Sequence, residues 1–135
     1  MAGLFASSSM AGETVKIELR QGISLQAPAE VKLEEEKGTD SQVGRITGPG
    51  FECRYDIGRF SDPLTSIGGA ELRDITLAGR VARLMQKGSD NDALHVMEVA
   101  ESVLGQVNLT LHCISTSESA RKAVRDMFMT LQIKS

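Results

Sequence analysis

The two cysteines are the residues best suited to covalent chemistry. Cys53 and Cys113 each fall on the apolar side of an alternating strand pattern, so both are expected to face one core. Two such cysteines can form a disulfide if their Cα atoms come within about 7 Å of each other. The alternative interpretation is a pair of buried thiols that act as small apolar side chains. A zinc site is not expected, because the sequence has no C-x-x-C motif.

The two histidines offer little for catalysis. His112 directly precedes Cys113 on one predicted strand. Adjacent strand residues point to opposite faces, so these two cannot readily form a nucleophile–base contact. His95 has no partner that the spacing of residues identifies. We expect both histidines to lie at a surface or an interface.

Catalytic signatures are missing from the sequence. It contains no G-x-S-x-G nucleophile motif, no G-x-x-x-x-G-K-[ST] or G-x-G-x-x-G phosphate-binding loop and no H-E-x-x-H metal motif. A pair of acid–base carboxylates would have to come from separate segments, for example from Asp56, Asp62 and Asp74. We therefore expect a protein that is not an enzyme and that uses no metal and no cofactor.

The best candidate for a binding site is a segment in which a strand ends and a loop begins. Residues 54–62 read R-Y-D-I-G-R-F-S-D, and the side chains suited to binding are Arg54, Asp56, Arg59, Phe60 and Asp62. Strand-to-loop transitions often display binding residues. A planar guanidinium group there could hold a carboxylate of a ligand or a partner protein. The plainer interpretation is an ordinary strand end followed by a solvated loop.

Composition narrows the classes of function. The 135 residues carry a net charge of −3 and are 41% hydrophobic, which suits one globular domain with its own core. No basic run is present and aromatic residues are few, so nucleic-acid binding is disfavoured. No apolar stretch approaches the ~20 residues that a membrane-spanning helix needs. An acidic surface can steer the protein toward a basic protein partner.

The first twelve residues have two interpretations. Residues 4–11 are small and apolar and end in S-M-A, a pattern that precedes a signal-peptidase cut before Gly12. Because no basic segment precedes them, residues 1–12 are expected to be a signal-peptide remnant or a disordered N-terminus. Residues 13–135 are expected to form a single α+β domain. The corresponding localisation is periplasmic or secreted, with the cytoplasm as the alternative.

Most of the elements that position these residues are predicted to be strands. Alternating apolar residues predict strands around 15–25, 31–33, 43–46, 51–57, 72–85 and 107–113. Ala78-Gly79 is expected to turn a hairpin, and Gly44 to break its strand. The glutamates 34–36 predict a solvated strand end or sheet edge. Residues 92–104 fit either a second helix or a strand. We favour a strand for their first half.

The C-terminal helix has the most definite signals. Ser115 through Glu118 match a capping box with Ser115 as the N-cap. Apolar residues at helical spacing between 120 and 128 give the segment one buried face. We predict a helix from about Ser115 to Met129 and a short final strand near Ile133. The expected fold is α+β, with mostly antiparallel sheet and the C-terminal helix packed on it.

Two short segments resemble motifs of small exported bacterial proteins. D-S-Q-V-G-R-I at 40–46 and Y-D-I-G-R-F-S at 55–61 resemble their D-S-x-x-G-x-I and Y-D-x-G-x-x-S segments. Those proteins also end in an L-T-L strand, a helix and a short strand, as do residues 109–133 of this chain. Their architecture is similar to the α/β sandwich of the Mog1/PsbP type. The resemblance implies this fold and an exported setting, and it implies no activity. Cys53, Cys113 and the incomplete signal peptide depart from the family pattern.

Three functions remain open at this point. The leading hypothesis is a non-enzymatic exported protein that binds another protein, for example as an inhibitor or an immunity protein. The second is a periplasmic protein that binds a small ligand in a groove between sheet and helix. The third is an enzyme whose catalytic residues are scattered along the chain. The sequence does not indicate the oligomeric state.

Overall fold

The computed structural model describes residues 13–37, 41–59, 61–65, 68–100 and 105–134. The N-terminal segment 1–12, with its predicted signal-peptide remnant, lies outside these ranges. Within them the chain forms ten strands and one helix. Their bounds are β1 Thr14–Arg20, β2 Ile23–Pro28, β3 Lys32–Lys37, β4 Ser41–Gly48, β5 Phe51–Gly58, β6 Ala70–Leu77, β7 Arg80–Lys87, β8 Asn91–Ala100, β9 Val107–Ser115, α1 Glu118–Phe128 and β10 Gln132–Ile133.

The strands form two antiparallel sheets. The small sheet has the order β1-β2-β10, and the large sheet has the order β3-β4-β5-β9-β8-β7-β6. The large sheet consists of two meanders, β3–β5 and β6–β9, which meet where β5 pairs with β9. We call this β5–β9 pairing the seam. The prediction of mostly antiparallel sheet with one C-terminal helix and a short final strand is confirmed, although the fold is more strongly β than α+β suggests.

The large sheet has an inner face and an outer face. The inner face packs against the small sheet and α1, and it holds alternate residues of each central strand, such as Tyr55 and Leu111. Leu25 of the small sheet and Phe128 of α1 belong to the same buried cluster. Full burial of one such side chain contributes about 1.5–3 kcal/mol. The intervening residues of β5, including Arg54, point to the outer face.

Cys53 and Cys113 form a disulfide within the seam. The two residues lie directly opposite each other in the β5–β9 ladder, with their Cα atoms 4.0 Å apart. Both are fully buried. Of the two interpretations of the sequence, the disulfide is the one that the structure shows. A cross-link with a sequence separation of 60 residues stabilises a fold by about 4 kcal/mol in the chain-entropy account.

Gly44 does not break its strand. β4 runs without interruption from Ser41 to Gly48, so the prediction of a broken strand is wrong. The ring of Tyr55, on the neighbouring strand, lies across Gly44, and a Cβ atom at position 44 would overlap that ring. Gly48 stands in the same relation to the ring of Phe51. The two glycines therefore make room for aromatic rings in the core.

The helix begins later than the capping box predicts. Its N-cap is Ser117, whose hydroxyl accepts a hydrogen bond of 3.1 Å from the backbone N–H of Ala120. Ser115 still belongs to β9, where it lies opposite Phe51 and donates its N–H to the carbonyl of Asp90. The prediction of Ser115 as N-cap is wrong because ladder pairing keeps the chain extended there. In the described part of the chain, no helix is long and apolar enough to span a membrane.

A buried ion pair attaches α1 to the large sheet. The Arg121 Nε atom lies 2.8 Å from the Asp92 Oδ2 atom, and the two side chains are only 7% and 3% exposed. Arg121 also donates to the backbone carbonyls of Gly88 and Asn91 at 2.9 and 3.2 Å. Buried charges require such partners because desolvation costs each of them several kcal/mol. The pair therefore fixes the helix over the β7–β8 turn and the start of β8.

Residues 91–100 form strand β8, which confirms the strand that was favoured for the first half of residues 92–104. Residues 101–104 lie outside the described ranges. The ladder with β9 shifts between Val96 and Ala100. At this bulge Glu98 has a φ of 56°. Its N–H donates to the Asn108 side chain at 2.9 Å, and its carbonyl accepts from Arg80 at 3.0 Å. These two bonds hold the irregular backbone in place.

The two edges of the large sheet differ in character. At one edge, β3 exposes the glutamates 34–36, which confirms the prediction of a charged edge there. At the other edge, β6 and β7 form a hairpin that turns at Ala78-Gly79, as predicted. Ala78 and Gly79 have φ values of 52° and 76°, the positive values that a two-residue type I′ turn requires. Most of β6 is exposed, and only Leu77 is buried.

Candidate functional site

The outer face of the large sheet carries the polar residues of the seam. Strand register places Arg45, Arg54 and His112 opposite one another in one row across β4, β5 and β9. In the next row Asp56 lies opposite Thr110. Arg54 is therefore flanked on both sides by polar side chains, whereas Asp56 has Thr110 on one side and Val43 on the other. These neighbours are set by register alone, and no spacing within one segment of sequence indicates them.

A groove of about 410 Å³ opens on this face. Three of the five residues predicted to bind, namely Arg54, Asp56 and Asp62, line it together. Arg59 is exposed just beyond β5, and its Cδ atom lies near Gly105. Phe60 lies outside the described residues. Sequence reasoning missed three polar residues of the groove, which come from other strands: Glu36, Thr110 and His112.

A short loop, residues 61–65, crosses the outer face and forms one wall of the groove. The Thr110 hydroxyl donates to the Asp62 carbonyl at 2.7 Å. The Asp62 carboxylate in turn accepts from the backbone N–H of Leu64 at 2.8 Å. Arg83 donates to the Leu64 carbonyl at 3.4 Å. Side chains of β7 and β9 therefore hold this loop against the sheet.

Leu64 is the apolar anchor of the loop. It is buried against Met85 and Ala93 in a small cluster separate from the main core. Its φ of 54° lies in the left-handed region, which costs a residue with a side chain roughly 1–2 kcal/mol. Burial and the hydrogen bond that the Leu64 N–H donates to the Asp62 carboxylate offset that cost. Backbone strain of this kind is often found at binding sites.

His95 lies beneath the loop, so the prediction that it lies at a surface or an interface is wrong. Its side chain is buried, and its Nδ1 atom lies 3.0 Å from the Thr110 hydroxyl. Because that hydroxyl donates its proton to the Asp62 carbonyl, it accepts from His95, and neutral His95 carries its proton on Nδ1. Burial lowers the pKa of His95, Asp62 partly opposes the shift, and Arg83 adds to it. The loop therefore packs over a neutral imidazole.

His112 is exposed, as predicted. Its Nε2 atom lies 3.0 Å from the side-chain oxygen of Asn91. It points to the face opposite Cys113, as strand alternation requires. The two residues therefore form no nucleophile–base pair.

Asp56 has an acceptor atom that no described residue uses. The residue lines the groove, and its Oδ1 atom is buried with no hydrogen-bond partner among the described residues. Buried acceptors in native proteins normally have a partner, and an exception often marks a functional position. An N–H or ammonium donor that entered the groove could supply this partner.

Arg54 is paired only loosely. Its Nη1 atom lies 4.0 Å from the Glu36 carboxylate, and its side chain is 66% exposed. Arg45 is similarly placed, 3.9 Å from Glu36 and 3.6 Å from Glu52. Exposed ion pairs contribute only ~0–1 kcal/mol. Arg54 can therefore exchange its present partner for a carboxylate of a bound molecule at small cost.

Tyr55 lies on the inner face but reaches the groove across Gly44, where no side chain intervenes. Burial raises the pKa of Tyr55, and the nearby Glu35 and Glu36 raise it further. The phenol therefore stays protonated at neutral pH. Its hydroxyl has no hydrogen-bond partner among the described residues.

The charge of this region is mainly acidic. Five carboxylates on the outer face of β3–β5 and in the loop outnumber three cations, Lys32, Arg45 and Arg54. The carboxylates are Glu34, Glu36, Glu52, Asp56 and Asp62. Asp74 lies elsewhere, in β6, where it accepts from Arg83 at 2.8 Å. No group of three or more His, Cys, Asp or Glu side chains is arranged to hold a metal ion in the ranges that the structure describes. The arrangement is suited to recognition of a positively charged group.

Comparison of the chain with protein-family models, curated proteins and solved structures gave no match. The resemblance to small exported bacterial proteins stays a prediction.

Proposed function

We propose that the protein is a non-enzymatic binding domain that recognises a basic segment of another protein at the groove on the outer face. The observation that carries this proposal is the buried Oδ1 atom of Asp56, which has no hydrogen-bond partner within the described ranges. A lysine or arginine of the partner would donate to it. The other carboxylates that surround the groove would attract such a segment and increase its rate of association.

The surface around the groove favours a protein partner over a small molecule. The lining combines apolar side chains, such as Leu64 and Met85, with four charged ones: Glu36, Arg54, Asp56 and Asp62. The outer face continues past the groove along β3, β4 and β5, so a partner can extend its contact over several strands.

An exported setting, periplasmic or secreted, is part of the proposal. The Cys53–Cys113 disulfide supports it, because structural disulfides persist in oxidising compartments and are rare in the cytosol. The inhibitor or immunity role stays a prediction, since no residue of the groove identifies what the partner does.

Site-specific photo-crosslinking in cells that produce the protein natively tests the proposed interface. A photoreactive residue in place of Thr47, which is exposed on the outer face of β4, should crosslink to a discrete partner. The same residue in place of Lys122, which is exposed on α1, should not. Asp56→Lys should abolish the crosslink from position 47, because it places a positive charge where the basic segment binds.

Asp126→Lys is the matched control for the charge reversal. Asp126 is exposed on α1, so this variant should keep the crosslink from position 47. Equal crosslinking from positions 47 and 122, or a position-47 crosslink that survives Asp56→Lys undiminished, would refute the proposed interface.

A second groove supports the small-ligand alternative. It also measures about 410 Å³ and lies between the β6–β7 hairpin and the end of α1. Its apolar side chains are Leu72, Leu84, Met85, Phe128 and Met129, and its charged ones are Glu71, Arg73, Asp92 and Arg125. Arg125 is already paired with Asp92. The apolar part suits a ligand with an apolar tail, and the exposed Arg73 could meet its anionic head.

Thermal unfolding with dodecanoate as the probe tests this alternative. Dodecanoate should raise the Tm of the wild type by mass action. The increase should disappear in Met129→Glu, which places a negative charge in the groove. An unchanged wild-type Tm would remove this alternative.

A further inference from the structure

β6 forms an edge of the large sheet that no described element covers. Its ladder with β7 runs through eight consecutive residue pairs without a bulge. The strand contains no proline and no glycine, and most of it is exposed on both faces. Natural proteins usually block such an edge with charge, proline or a bulge, because its free backbone groups can pair with another strand. β3, at the opposite edge, carries three consecutive glutamates, which repel a strand of the same charge. The charges of β6 are Glu71, Arg73 and Asp74; because they are of both signs, they can pair with charges of another strand.

The turn of the hairpin determines which backbone groups of β6 are free. In a two-residue hairpin, Leu77 and Arg80 form the hydrogen-bonded pair that closes the turn. Alternate residues toward the N-terminus, Ile75, Arg73 and Glu71, therefore also direct their backbone groups toward β7. The free N–H and C=O groups belong to the residues between them, which are Ala70, Leu72, Asp74 and Thr76.

We propose that β6 pairs with β6 of a second copy of this chain, antiparallel and with Leu72 opposite Leu72 on a twofold axis. In this register Glu71 of each copy lies opposite Arg73 of the other, so two ion pairs form between the copies. Ala70 lies opposite Asp74. The Glu71–Arg73 positions are non-hydrogen-bonded pairs, in which side chains approach most closely. The two Leu72 side chains, each 37% exposed in one copy, cover each other on the outer face.

Other twofold registers lack this complementarity. Registers centred on Glu71, Arg73 or Asp74 place two like charges directly opposite, which is destabilising. The register centred on Ile75 forms no pair of opposite charges. A shift by one residue would place inner-face residues of one copy opposite outer-face residues of the other. The charge pattern of β6 therefore selects the register centred on Leu72.

The expected dimer is weak and depends on concentration. Pairing of two short edge strands buries less surface than the roughly 1,200 Å² of the smallest standard interfaces. β6 contributes no residue to the lining of the outer groove. Self-association along β6 is therefore independent of the proposed partner site, and the outcome of one test does not decide the other.

Charge reversal tests the register, with sedimentation velocity over a wide range of concentration as the measurement. The wild type should show a reversible monomer–dimer equilibrium. Glu71→Arg and Arg73→Glu should each raise the dimer dissociation constant about tenfold or more, because each turns two attractions into two repulsions. The double variant, Glu71→Arg with Arg73→Glu, should restore association to near the wild-type level.

A mixture of the two single variants makes the test sharper. The Glu71→Arg variant has arginine at both position 71 and position 73, and Arg73→Glu has glutamate at both. The mixture should therefore form heterodimers, although each variant alone associates only weakly. Lys122→Glu, a charge reversal at an exposed position of α1, should associate like the wild type. Circular dichroism should show all variants to be folded. A wild type that stays monomeric at every concentration, or a folded double variant that does not recover association, would overturn the proposal.

Discussion

The seam and the β6–β7 hairpin are two antiparallel ladders of equal length in one sheet, yet their surroundings are opposite. Each ladder runs through eight residue pairs. In the seam, inner-face residues such as Cys53 and Leu111 are fully buried. In the hairpin, Val81 is 63% and Leu72 is 37% exposed. The two ladders have the same backbone pairing, but they differ in how far their side chains are buried by other elements.

This comparison separates two contributions to sheet stability. A backbone hydrogen bond adds only about 1 kcal/mol net, because the unfolded chain bonds to water instead. A buried apolar side chain adds about 1.5–3 kcal/mol. The small sheet and α1 cover the seam, and they do not extend fully over the hairpin. We therefore expect substitutions in the seam and its cover to be costly, and substitutions in the hairpin to be tolerated.

The largest loss of stability is expected from removal of the disulfide. Cys53→Ala with Cys113→Ala should lower the free energy of unfolding by about 4 kcal/mol, because the bridge limits the freedom of the unfolded chain. Urea unfolding of the double variant measures this. The reduced wild type serves as the control and should lose a similar amount. A loss below about 1 kcal/mol would show that the stability of the seam does not depend on its cross-link.

The ion pair that holds α1 over the sheet should give the next largest effect. Asp92→Asn leaves the buried guanidinium of Arg121 without its main anion and should cost about 3 kcal/mol. Asp126→Asn is the matched control, because the Lys122–Asp126 pair is exposed and contributes below about 1 kcal/mol. Thermal or urea unfolding of the two variants measures the difference. Equal losses would show that burial of the Asp92 pair is unimportant.

An added methyl group under the Tyr55 ring should cost somewhat less. Gly44→Ala should destabilise the fold by about 2 kcal/mol, because the buried ring has little room to move. Gly68→Ala is the control, since a Cβ there meets no atom within 4 Å and its loss should be smaller. The test fails if urea unfolding ranks the two variants in the reverse order.

His95 lies where the two regions meet, and it should make stability depend on pH. Burial lowers the pKa of His95 in the folded protein, so the unfolded chain binds a proton more readily than the folded one. Its contribution is complete above the unfolded pKa of about 6.5, and it is lost as the pH falls from there toward the folded pKa. Between pH 8 and pH 5, the free energy of unfolding measured with urea should therefore fall less for His95→Gln than for the wild type. Parallel plots of this free energy against pH for the two proteins would refute the prediction.

The smallest effect is expected in the hairpin. Val81→Thr replaces an exposed side chain by one of similar shape and strand preference, and should change stability by no more than about 0.5 kcal/mol. Differential scanning calorimetry gives the comparison with the seam variants. A loss as large as that of Gly44→Ala would mean that the hairpin is covered in solution, as in a dimer along β6.

Local patterns predicted much of this fold. Alternation of apolar residues identified the strands and placed both cysteines on the same face. Ala78-Gly79 identified the hairpin. The helix start was predicted two residues early, because serines at 115 and 117 can both cap a helix and only the pairing of β9 with β5 decides between them. Gly44 was misjudged because its role depends on a ring from another strand.

The candidate site was predicted only where it is contiguous in sequence. Arg54, Asp56 and Asp62 come from one segment and line one groove. The position of His95 was predicted wrongly because other segments bury it. The loop that follows β5 covers it, and strand register places Thr110 of β9 beside it. Cross-strand neighbours follow from the order of strands in the sheet, which single-segment patterns do not contain.

The position of the seam also has a consequence for how fast the protein folds. Most pairs of neighbouring strands are adjacent along the chain and can form early, whereas β5 must find β9 across a long intervening segment. Contacts between distant residues slow folding, because the chain loses loop entropy before it gains contact energy. The pairing of β2 with β10 is also distant, but it involves only two residue pairs. The disulfide joins the β5–β9 pairing and keeps its two strands together in the unfolded chain. The oxidised protein should therefore refold from denaturant faster than the reduced protein.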